Sequence, residues 1–424
     1  MARLTQRAAL GLSSERVKAK GRFSAEFELA LASARWPLRA RDIEEIRQLT
    51  NGPLDWDQFV RIINRNQILP LAYRNLRDAF PDGSHTKILD SLRSKVVGFA
   101  SHSLSQAAEL IRVTESVTNA GFEIVALKGV SLSVLGYGNM ATRISGDIDL
   151  LVSAAHVFEV ERLLLELGYT RYEPRAELTP RRLKHYMKYY EHFAYVCEAK
   201  AIPLELHWRL FHGLPLPKEA ETTFPPTMPV RVGAGVVSTL SRDELFLYLC
   251  VHGAIHGWPI LKWLADLGAL LSAMMAEDLA RVAVLASERG LIAELRAALI
   301  LVDFFLAVDR PTVELPHETN PVAERIVDMA QRLLTAKNYC LEIHRLPRLG
   351  MFLYHVRLRS SWRYRSRDIR RALFFPEDWD LVDLPDALFP LYAVVRPVSW
   401  LLRHLPRLPR RRSPVDSSSR SLSS

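Results

Sequence analysis

The sequence predicts an α+β protein in which a small sheet unit lies between two helical blocks. Apolar residues recur at three- and four-residue spacing over residues 24–120 and again over 243–346, which is the period of an amphipathic helix. Between these blocks lie four short apolar or alternating runs that are typical of strands, at residues 122–127, 147–152, 193–197 and 202–208. Strands that alternate with helices indicate a compact α/β unit.

These changes in pattern divide the chain into five segments. Residues 1–22 are polar and basic and are expected to form a loose arm, while residues 23–120 are expected to form an N-terminal helical domain. Residues 121–212 hold the predicted α/β core, and residues 213–408 a C-terminal helical domain. The tail, residues 409–424, is rich in Arg and Ser and is expected to be disordered.

Composition excludes several classes of protein. With 424 residues, 49% of them hydrophobic and 24% charged, the chain can build large cores, so it is neither a disordered regulator nor a disulfide-held mini-protein. The 56 basic residues exceed the 47 acidic ones and give a net charge of +9. This surplus favours anionic partners such as nucleotides, nucleic acid or acidic lipid without choosing among them.

The cysteines and the apolar runs indicate a cytosolic protein with reduced thiols. Cys197, Cys250 and Cys340 are too few and too far apart for a disulfide framework or a zinc knuckle. The N-terminal residues lack the apolar core of a signal peptide. The longest apolar run, residues 297–308, contains Asp303 and falls short of the roughly 20 residues that span a bilayer, so no transmembrane helix is predicted.

The clearest motif lies at residues 143–152, which read RISGDIDLLV. Because side chains alternate faces along a strand, Asp147 and Asp149 are expected to share one face and the apolar residues between them the other. Two carboxylates this close repel each other, which raises at least one carboxyl pKa and favours a divalent cation. Ser145 and Gly146 allow a tight turn into the strand.

A third acid lies in residues 203–208, which read PLELHW. Here Glu205 and His207 share one strand face. If this strand lies beside the first, Asp147, Asp149 and Glu205 converge on one surface and offer the oxygen ligands that Mg²⁺ or Mn²⁺ prefers. The pair of aspartates alone is more readily explained as a polar strand end that arises by chance. What favours a site is the order of elements, in which a strand ending in Lys128-Gly129 precedes the two aspartates and a later strand carries Glu205.

Three segments together resemble a known superfamily. Residues 127–131 (LKGVS), 143–152 and 204–208 (LELHW) resemble the signature of the DNA polymerase β-like nucleotidyltransferases, in particular a branch of uncharacterised bacterial proteins. Residues 252–258 (HGAIHGW), with Trp263 and Asp266, resemble the helical C-terminal block of that branch. The resemblance implies a small mixed sheet flanked by helical domains.

The resemblance also implies a reaction. A nucleoside monophosphate would pass from an NTP to an acceptor hydroxyl, with release of pyrophosphate and with two metal ions at the site. Asp147 and Asp149 would bridge the metals, and Glu205 would complete the metal on the acceptor side. The acceptor could be a small molecule, a peptide or a protein, and the oligomeric state stays open.

A further set of residues is expected to contact the nucleotide. Gly129 at a helix start would let backbone N–H groups approach phosphate oxygens, although Val130 stands where the superfamily has Ser or Gly. Lys128 and Arg143 would supply the phosphate cations, or would be solvated surface charges. The whole expected set is Lys128, Gly129, Ser131, Arg143, Ser145, Gly146, His252 and His256.

His252 and His256 are four residues apart and share one face of a predicted helix. They would line the nucleotide or acceptor cleft, or belong to a packed structural helix. A third alternative is a zinc site with Asp266 or His207, but Gly253 replaces the glutamate of the His-Glu-x-x-His motif.

Residues 357–371 contain seven arginines, and on a predicted helix most of them lie opposite an apolar face formed by Leu358, Trp362, Ile369 and Ala372. Such a helix binds acidic lipid or nucleic acid, or packs its apolar face on its own domain, and we favour packing. For residues 387–402 burial is likewise favoured over an interfacial anchor. The rivals to an Mg²⁺-dependent transferase are therefore a nucleotide-binding protein without turnover and a scaffold on nucleic acid or a membrane surface.

Overall fold

A computed structural model of the protein describes residues 23–211, 224–316, 321–335, 348–358 and 362–404. The predicted arm at residues 1–22 and the predicted tail at 409–424 lie outside these residues, as does Cys340. Cys197 and Cys250 are buried free thiols.

Seven strands form one mixed sheet in the order β3-β4-β5-β2-β1-β7-β6. The strands are β1 Ile124–Ala126, β2 Ile148–Val152, β3 Thr170–Glu173, β4 His192–Cys197, β5 Ile202–His207, β6 Thr227–Val232 and β7 Gly235–Leu240. The pairs β2–β5 and β1–β7 are parallel, and the other neighbours are antiparallel. The predicted α+β class is confirmed.

Helices lie before the strands, between successive strands and after them in the chain. The N-terminal helices are α1 Ala25–Ser33, α2 Ala40–Thr50, α3 Trp56–Arg65, α4 Leu69–Ala79 and the long α5 Thr86–Asn119. Those between strands are α6 Val130–Tyr137, α7 Val157–Glu166 and α8 Pro180–Tyr189. The C-terminal ones are α9 Arg242–His256, α10 Leu261–Leu271, α11 Ala276–Glu288, α12 Ile292–Leu306, α13 Val322–Thr335, α14 Arg348–Leu358, α15 Trp362–Leu373, α16 Pro376–Leu381, a 3₁₀ helix Asp386–Leu391 and α17 Tyr392–His404.

Local sequence fixes several helix ends. Asp55, Thr179 and Ser241 each accept a hydrogen bond from the backbone N–H three residues ahead, which satisfies a donor at the start of α3, α8 and α9. After α7, Gly168 adopts a φ of +87°, and Gly257 adopts +72° after α9. Glycine tolerates this left-handed conformation, so both helices stop there.

One face of the sheet packs on the N-terminal and C-terminal helices together. Phe59 of α3 and Leu76 of α4 share a core with Leu264 of α10 and Val302 of α12, and Leu151 of β2 joins them from the sheet. The two helical blocks are therefore continuous with each other on this side.

The opposite face packs on a second core. Val113 of α5, Leu164 of α7 and Tyr186 of α8 contact this face, and Leu150 of β2 and Tyr392 belong to the same core. Because every residue of β2 is buried, the strand needs cover on both faces.

The sheet extends beyond the strands that the sequence predicts. Strand β3 is short and largely exposed, and its buried and exposed residues do not alternate in a way that would predict a strand. The hairpin of β6 and β7 comes from residues 227–240, within the segment expected to be a helical domain. None of the helices in the described ranges is long and apolar enough to cross a membrane.

Candidate metal centre

Three carboxylates meet on the sheet face that the helical blocks cover. Asp149 of β2 lies opposite Glu205 in the parallel β2–β5 pair, and Asp147 directly precedes β2. One oxygen from each of Asp147, Asp149 and Glu205 lies within 4.8 Å of the other two. Strand alternation causes this convergence, because the apolar residues between the acids enter the opposite core. The three oxygens are close enough to share one divalent cation.

Asp149 is the most enclosed of the three acids, with 1% of its surface exposed. Its Oδ1 lies 3.0 Å from Lys128 Nζ and 3.3 Å from His207 Nε2. Its Oδ2 is buried and has no hydrogen-bond partner among the described residues. Burial favours the neutral carboxyl, but Lys128 and His207 outweigh it and hold the pKa of Asp149 below its usual range. The residue thus presents an ionised, unpartnered oxygen, which is what a metal ligand requires.

Asp147 has the opposite electrostatic environment. Burial, followed by the charge of Asp149, raises the pKa of Asp147 to about 6, although Lys128 partly opposes the shift. This agrees with the expectation that repulsion raises one carboxyl pKa. An additional positive charge near Asp147 would therefore stabilise the ionised form of its carboxyl group.

Two histidines surround the third acid. His207 Nε2 lies 3.2 Å from Glu205 Oε2, and His192 Nε2 lies 3.8 Å from Glu205 Oε1. Burial disfavours a charged imidazole, yet the contacts with Asp149 and Glu205 raise the pKa of His207 to about 9, so it is cationic at neutral pH. His192, Glu205 and His207 form a second group whose atoms are close enough to share a metal ion.

The predicted phosphate loop packs directly against the acids. Gly129 precedes α6 with a φ of +77°, and a Cβ there would lie 3.3 Å from Ser145 Oγ. Ser145 Oγ donates a hydrogen bond to the Asp147 carbonyl over 2.9 Å. The Ser131 hydroxyl is fully buried and donates to the Lys128 carbonyl over 3.0 Å. Gly129 and Ser145 therefore border the acids, whereas the Ser131 side chain is engaged within its helix start.

Arg143 is placed in a structural contact. Its Nε lies 2.8 Å from Asp266 Oδ2 in α10, and both side chains are buried. Tyr137 donates its hydroxyl to the other oxygen of Asp266 over 3.0 Å. Arg143 thus joins the segment before β2 to α10, while the charge of Asp147 also acts on its guanidinium. Gly146 is exposed at the end of the same segment.

Helix α9 covers the acids with aromatic and imidazole side chains. Burial, followed by the nearby charges of Lys128 and His256, lowers the pKa of His252 well below its usual value. The His252 ring meets Trp263 edge-on with centroids 4.9 Å apart, and lies 4.6 Å from the His256 ring. Burial and the neighbouring acids raise the pKa of Tyr248, one turn before His252. His252 is within electrostatic reach of Asp149.

The zinc alternative lacks its further ligands. Asp266 binds Arg143, and His207 lies between two of the acids. In the part of the chain that the structure describes, His252 and His256 belong to no group of three metal-ligating side chains.

Sequence reasoning missed Lys262 at the start of α10. Its Nζ donates hydrogen bonds to Gln67 Oε1 and to the Ile144 carbonyl. Burial, followed by Arg143, lowers the pKa of Lys262 to about 7, while the charge of Asp147 acts in the opposite direction. A lysine within the otherwise apolar run LKWLADL is the one sequence signal for this residue.

A cavity of about 470 Å³ opens beside the segment that leads to Asp147. It lies between α3, α5 and residues 144–145. Its lining combines one cation, one imidazole, one amide and one aromatic ring, from Asn64, Lys95, Gly98, Phe99, His102, Ile144 and Ser145. Most of the surface that these residues present to the cavity is apolar.

The arginine-rich segment packs on its own chain. Arg367 donates to the Lys188 carbonyl over 2.6 Å and Arg370 to the Tyr189 hydroxyl over 3.3 Å. The Arg371 guanidinium lies 4.7 Å from the centre of the Tyr190 ring. These contacts are made by the arginines, whereas Trp362 of the predicted apolar face is 72% exposed, so the favoured packing of that face on its own domain stays a prediction. Residues 359–361, where the sequence predicts a continuous helix, lie outside the described ranges.

The fold and the acids define the class of protein. One acid on β2, a second directly before that strand and a third on the parallel strand β5, beside a glycine-led helix, match the features that the resemblance to nucleotidyltransferases implies. The chain belongs to the family described as uncharacterised nucleotidyltransferases, whose match covers residues 52–307. This membership supports a nucleotidyl transfer function. Among curated proteins, no match to the chain was found.

Proposed function

We propose that the protein is an Mg²⁺- or Mn²⁺-dependent enzyme that transfers a nucleoside monophosphate from an NTP to an acceptor. The acceptor is a small molecule, a peptide or a protein. The observation that carries the proposal is the group of Asp147, Asp149 and Glu205, whose oxygens lie within 4.8 Å of one another while Asp149 Oδ2 is buried without a partner. An unpartnered buried oxygen costs stability, which a bound cation would offset.

Asp147, Asp149 and Glu205 would hold the metal. A divalent ion bound there lowers the pKa of an acceptor hydroxyl and neutralises the triphosphate. Asp149 would not have to lose a proton before it binds a metal ion, because its low pKa keeps the carboxylate ionised. His207 keeps Asp149 and Glu205 oriented through its contacts with both carboxylates.

Lys128 and Gly129 would bind the phosphates. The Lys128 ammonium, 3.0 Å from Asp149, would bind a phosphate oxygen if a divalent cation took over the charge of Asp149. Gly129 allows close approach because it has no side chain beside Ser145. Tyr248 and His252 of α9 exclude water above the acids.

The cavity beside Ser145 would accommodate the nucleoside. Phe99 would offer a ring to the base, Lys95 would offer positive charge to a phosphate oxygen, and His102 would offer a hydrogen-bonding ring nitrogen. In this proposal the N-terminal helical domain, residues 23–120, supplies one wall. The C-terminal helical domain, residues 213–408, supplies the cover through α9. The setting would be the cytosol, where NTPs and reduced thiols occur together.

The test is incubation with each α-labelled NTP, Mg²⁺ or Mn²⁺, and a cell extract. We expect a labelled product from the wild type and none from Asp149→Asn, while Asp90→Asn, an exposed acid of α5, retains transfer. Binding of an NTP without any labelled product would identify a silent nucleotide-binding protein. Absence of both binding and transfer, or equal transfer by Asp149→Asn, would show that the acids are not an active site.

A further inference from the structure

The last described helix, α17, has two different faces. Tyr392 and Ser399 are buried, and Ser399 donates its hydroxyl to Asp378 Oδ1 over 2.6 Å. The other face is apolar and exposed. It consists of Leu391 immediately before the helix and Val394, Val398, Leu401 and Leu402 within it. At about 100° per residue these five positions span an arc of about 100°. We refer to these five residues as the α17 apolar face.

This exposure is concentrated in one part of the molecule. Nine of the nineteen large hydrophobic residues that are exposed in the described ranges lie within residues 381–402. Single exposed apolar residues are ordinary, but a contiguous set indicates an interaction surface. The expectation that residues 387–402 are buried is therefore correct for only one side of the helix.

The charge of the surrounding sequence identifies the kind of surface that fits. Residues 387–415 contain no Asp or Glu and six arginines. Arg396 lies 3.4 Å from Asp378, and the other five follow the apolar face in sequence, at residues 403, 407 and 410–412. An amphipathic helix followed by clustered basic residues is the combination that anchors proteins to acidic lipid. A second copy of this chain would instead bring two basic segments together, which repel each other.

The length of the helix decides how it meets the bilayer. Its 13 residues measure roughly 20 Å, and none of the helices described is long and apolar enough to cross a membrane. A helix of this kind lies in the plane of the interface.

We propose that the α17 apolar face inserts among the headgroups of an acidic phospholipid membrane, to which the positive charge carried by the sequence of residues 387–415 attracts it. The proposal is independent of the transfer reaction, because the face consists of residues that take no part in the candidate metal centre.

Co-sedimentation of the full chain with lipid vesicles tests the proposal. We expect binding to vesicles that contain phosphatidylglycerol, weaker binding at higher salt, and little binding to phosphatidylcholine alone. Val398→Asp and Val394→Asp should each weaken binding by about tenfold, because each places a carboxylate among lipid phosphates. Val284→Asp of α11 is the matched control, since Val284 and Val398 are both 58% exposed, and it should bind like the wild type.

Several results would overturn the proposal. These are no binding to acidic vesicles, equal binding to phosphatidylcholine, or equal binding by Val398→Asp. A lipid-free dimer in ultracentrifugation that Val398→Asp dissociates would show that the face joins two copies. A lower melting temperature for Val398→Asp than for Val284→Asp would show that the face is covered within the protein. Tighter binding to RNA than to acidic vesicles would make the basic segment a nucleic-acid site.

Discussion

Lys128 Nζ lies 3.0 Å from Asp149 Oδ1 in a part of the site where the lysine side chain is 15% exposed and the aspartate side chain is fully buried. Burial alone would lower the pKa of Lys128, but Asp149 outweighs it and raises that pKa above its usual value. The lysine therefore supplies, within the chain, the positive charge that a divalent cation would bring. Without a bound ligand, Lys128 therefore already balances the negative charge of the ionised Asp149.

Replacement of Lys128 should separate stability from metal affinity. Lys128→Met leaves Asp149 buried without its main cation, so the free energy of unfolding should fall by about 3 kcal/mol. Mg²⁺ should bind more tightly, because no ammonium competes for Asp149. Urea unfolding with and without Mg²⁺ measures both effects. Lys87→Met, an exposed lysine of α5, should change neither, and a similar loss in both variants would contradict the interpretation.

The two aspartates should respond oppositely to the loss of charge. Asp149→Asn removes the partner of Lys128 and His207 and should lower the melting temperature of the metal-free protein. Asp147→Asn removes a repelled carboxylate and should leave that temperature equal or higher. Both should lose the stabilisation by millimolar Mg²⁺, which in the wild type reaches about 3 kcal/mol at a hundred times Kd. Thermal melting with and without Mg²⁺ measures these effects. A lower melting temperature for Asp147→Asn than for Asp149→Asn would contradict the predicted difference between the two aspartates.

Gly98 allows the cavity to be filled from a helix surface. A Cβ at Gly98 would meet nothing within 4 Å, so larger side chains fit there. Gly98→Ala and Gly98→Leu should both stabilise α5, by up to about 1 kcal/mol. Only leucine reaches into the cavity, and it should weaken NTP binding by about tenfold. Calorimetric titration and denaturant unfolding measure the two effects. Equal affinity in both variants would place the nucleotide elsewhere.

His185 should make the second core sensitive to acid. Its ring lies among Tyr189, Phe374 and Phe389. Burial, followed by Lys188, lowers the pKa of His185 to about 4. The unfolded chain binds this proton first, so the contribution is complete above about pH 6.5 and is lost as pH falls toward 4, at most roughly 3 kcal/mol.

His185→Phe keeps an aromatic ring in that core and removes the proton. The difference in unfolding free energy between wild type and variant should therefore change between pH 6.5 and 4 and stay constant above. A difference that is the same at pH 7 and pH 4.5 would show that the imidazole titrates normally.

Sequence pattern predicted the parts of the site that depend on local geometry. The alternation over residues 147–152 and 202–208 determines which face each acid occupies. The parallel pairing of β2 with β5 places Asp149 opposite Glu205. The sequence could only suggest this pairing. His192 is informative only through its register with His207, and no local pattern encodes that pairing.

The partners of the cations were beyond sequence reasoning. Arg143 and Asp266 are 123 positions apart, and Lys262 is 118 positions from Ile144. A basic residue beside a motif has the same sequence signature whether it binds phosphate or a distant carboxylate. The strands β6 and β7 were missed because two short apolar runs before a long helical block carry little periodic signal.

The contacts that hold the segment before β2 also determine when the site forms during synthesis. Arg143 binds Asp266, Lys262 binds the Ile144 carbonyl, and Leu261 donates its backbone N–H to Asn66 Oδ1 over 3.0 Å. A nascent chain that has just completed the β2–β5 pair carries all three acids but none of these anchors. Because such distant contacts form late, a ribosome must add some sixty further residues before the acids are held in position. Under the proposed function, incomplete chains of this protein would therefore not bind cellular nucleotides at this site.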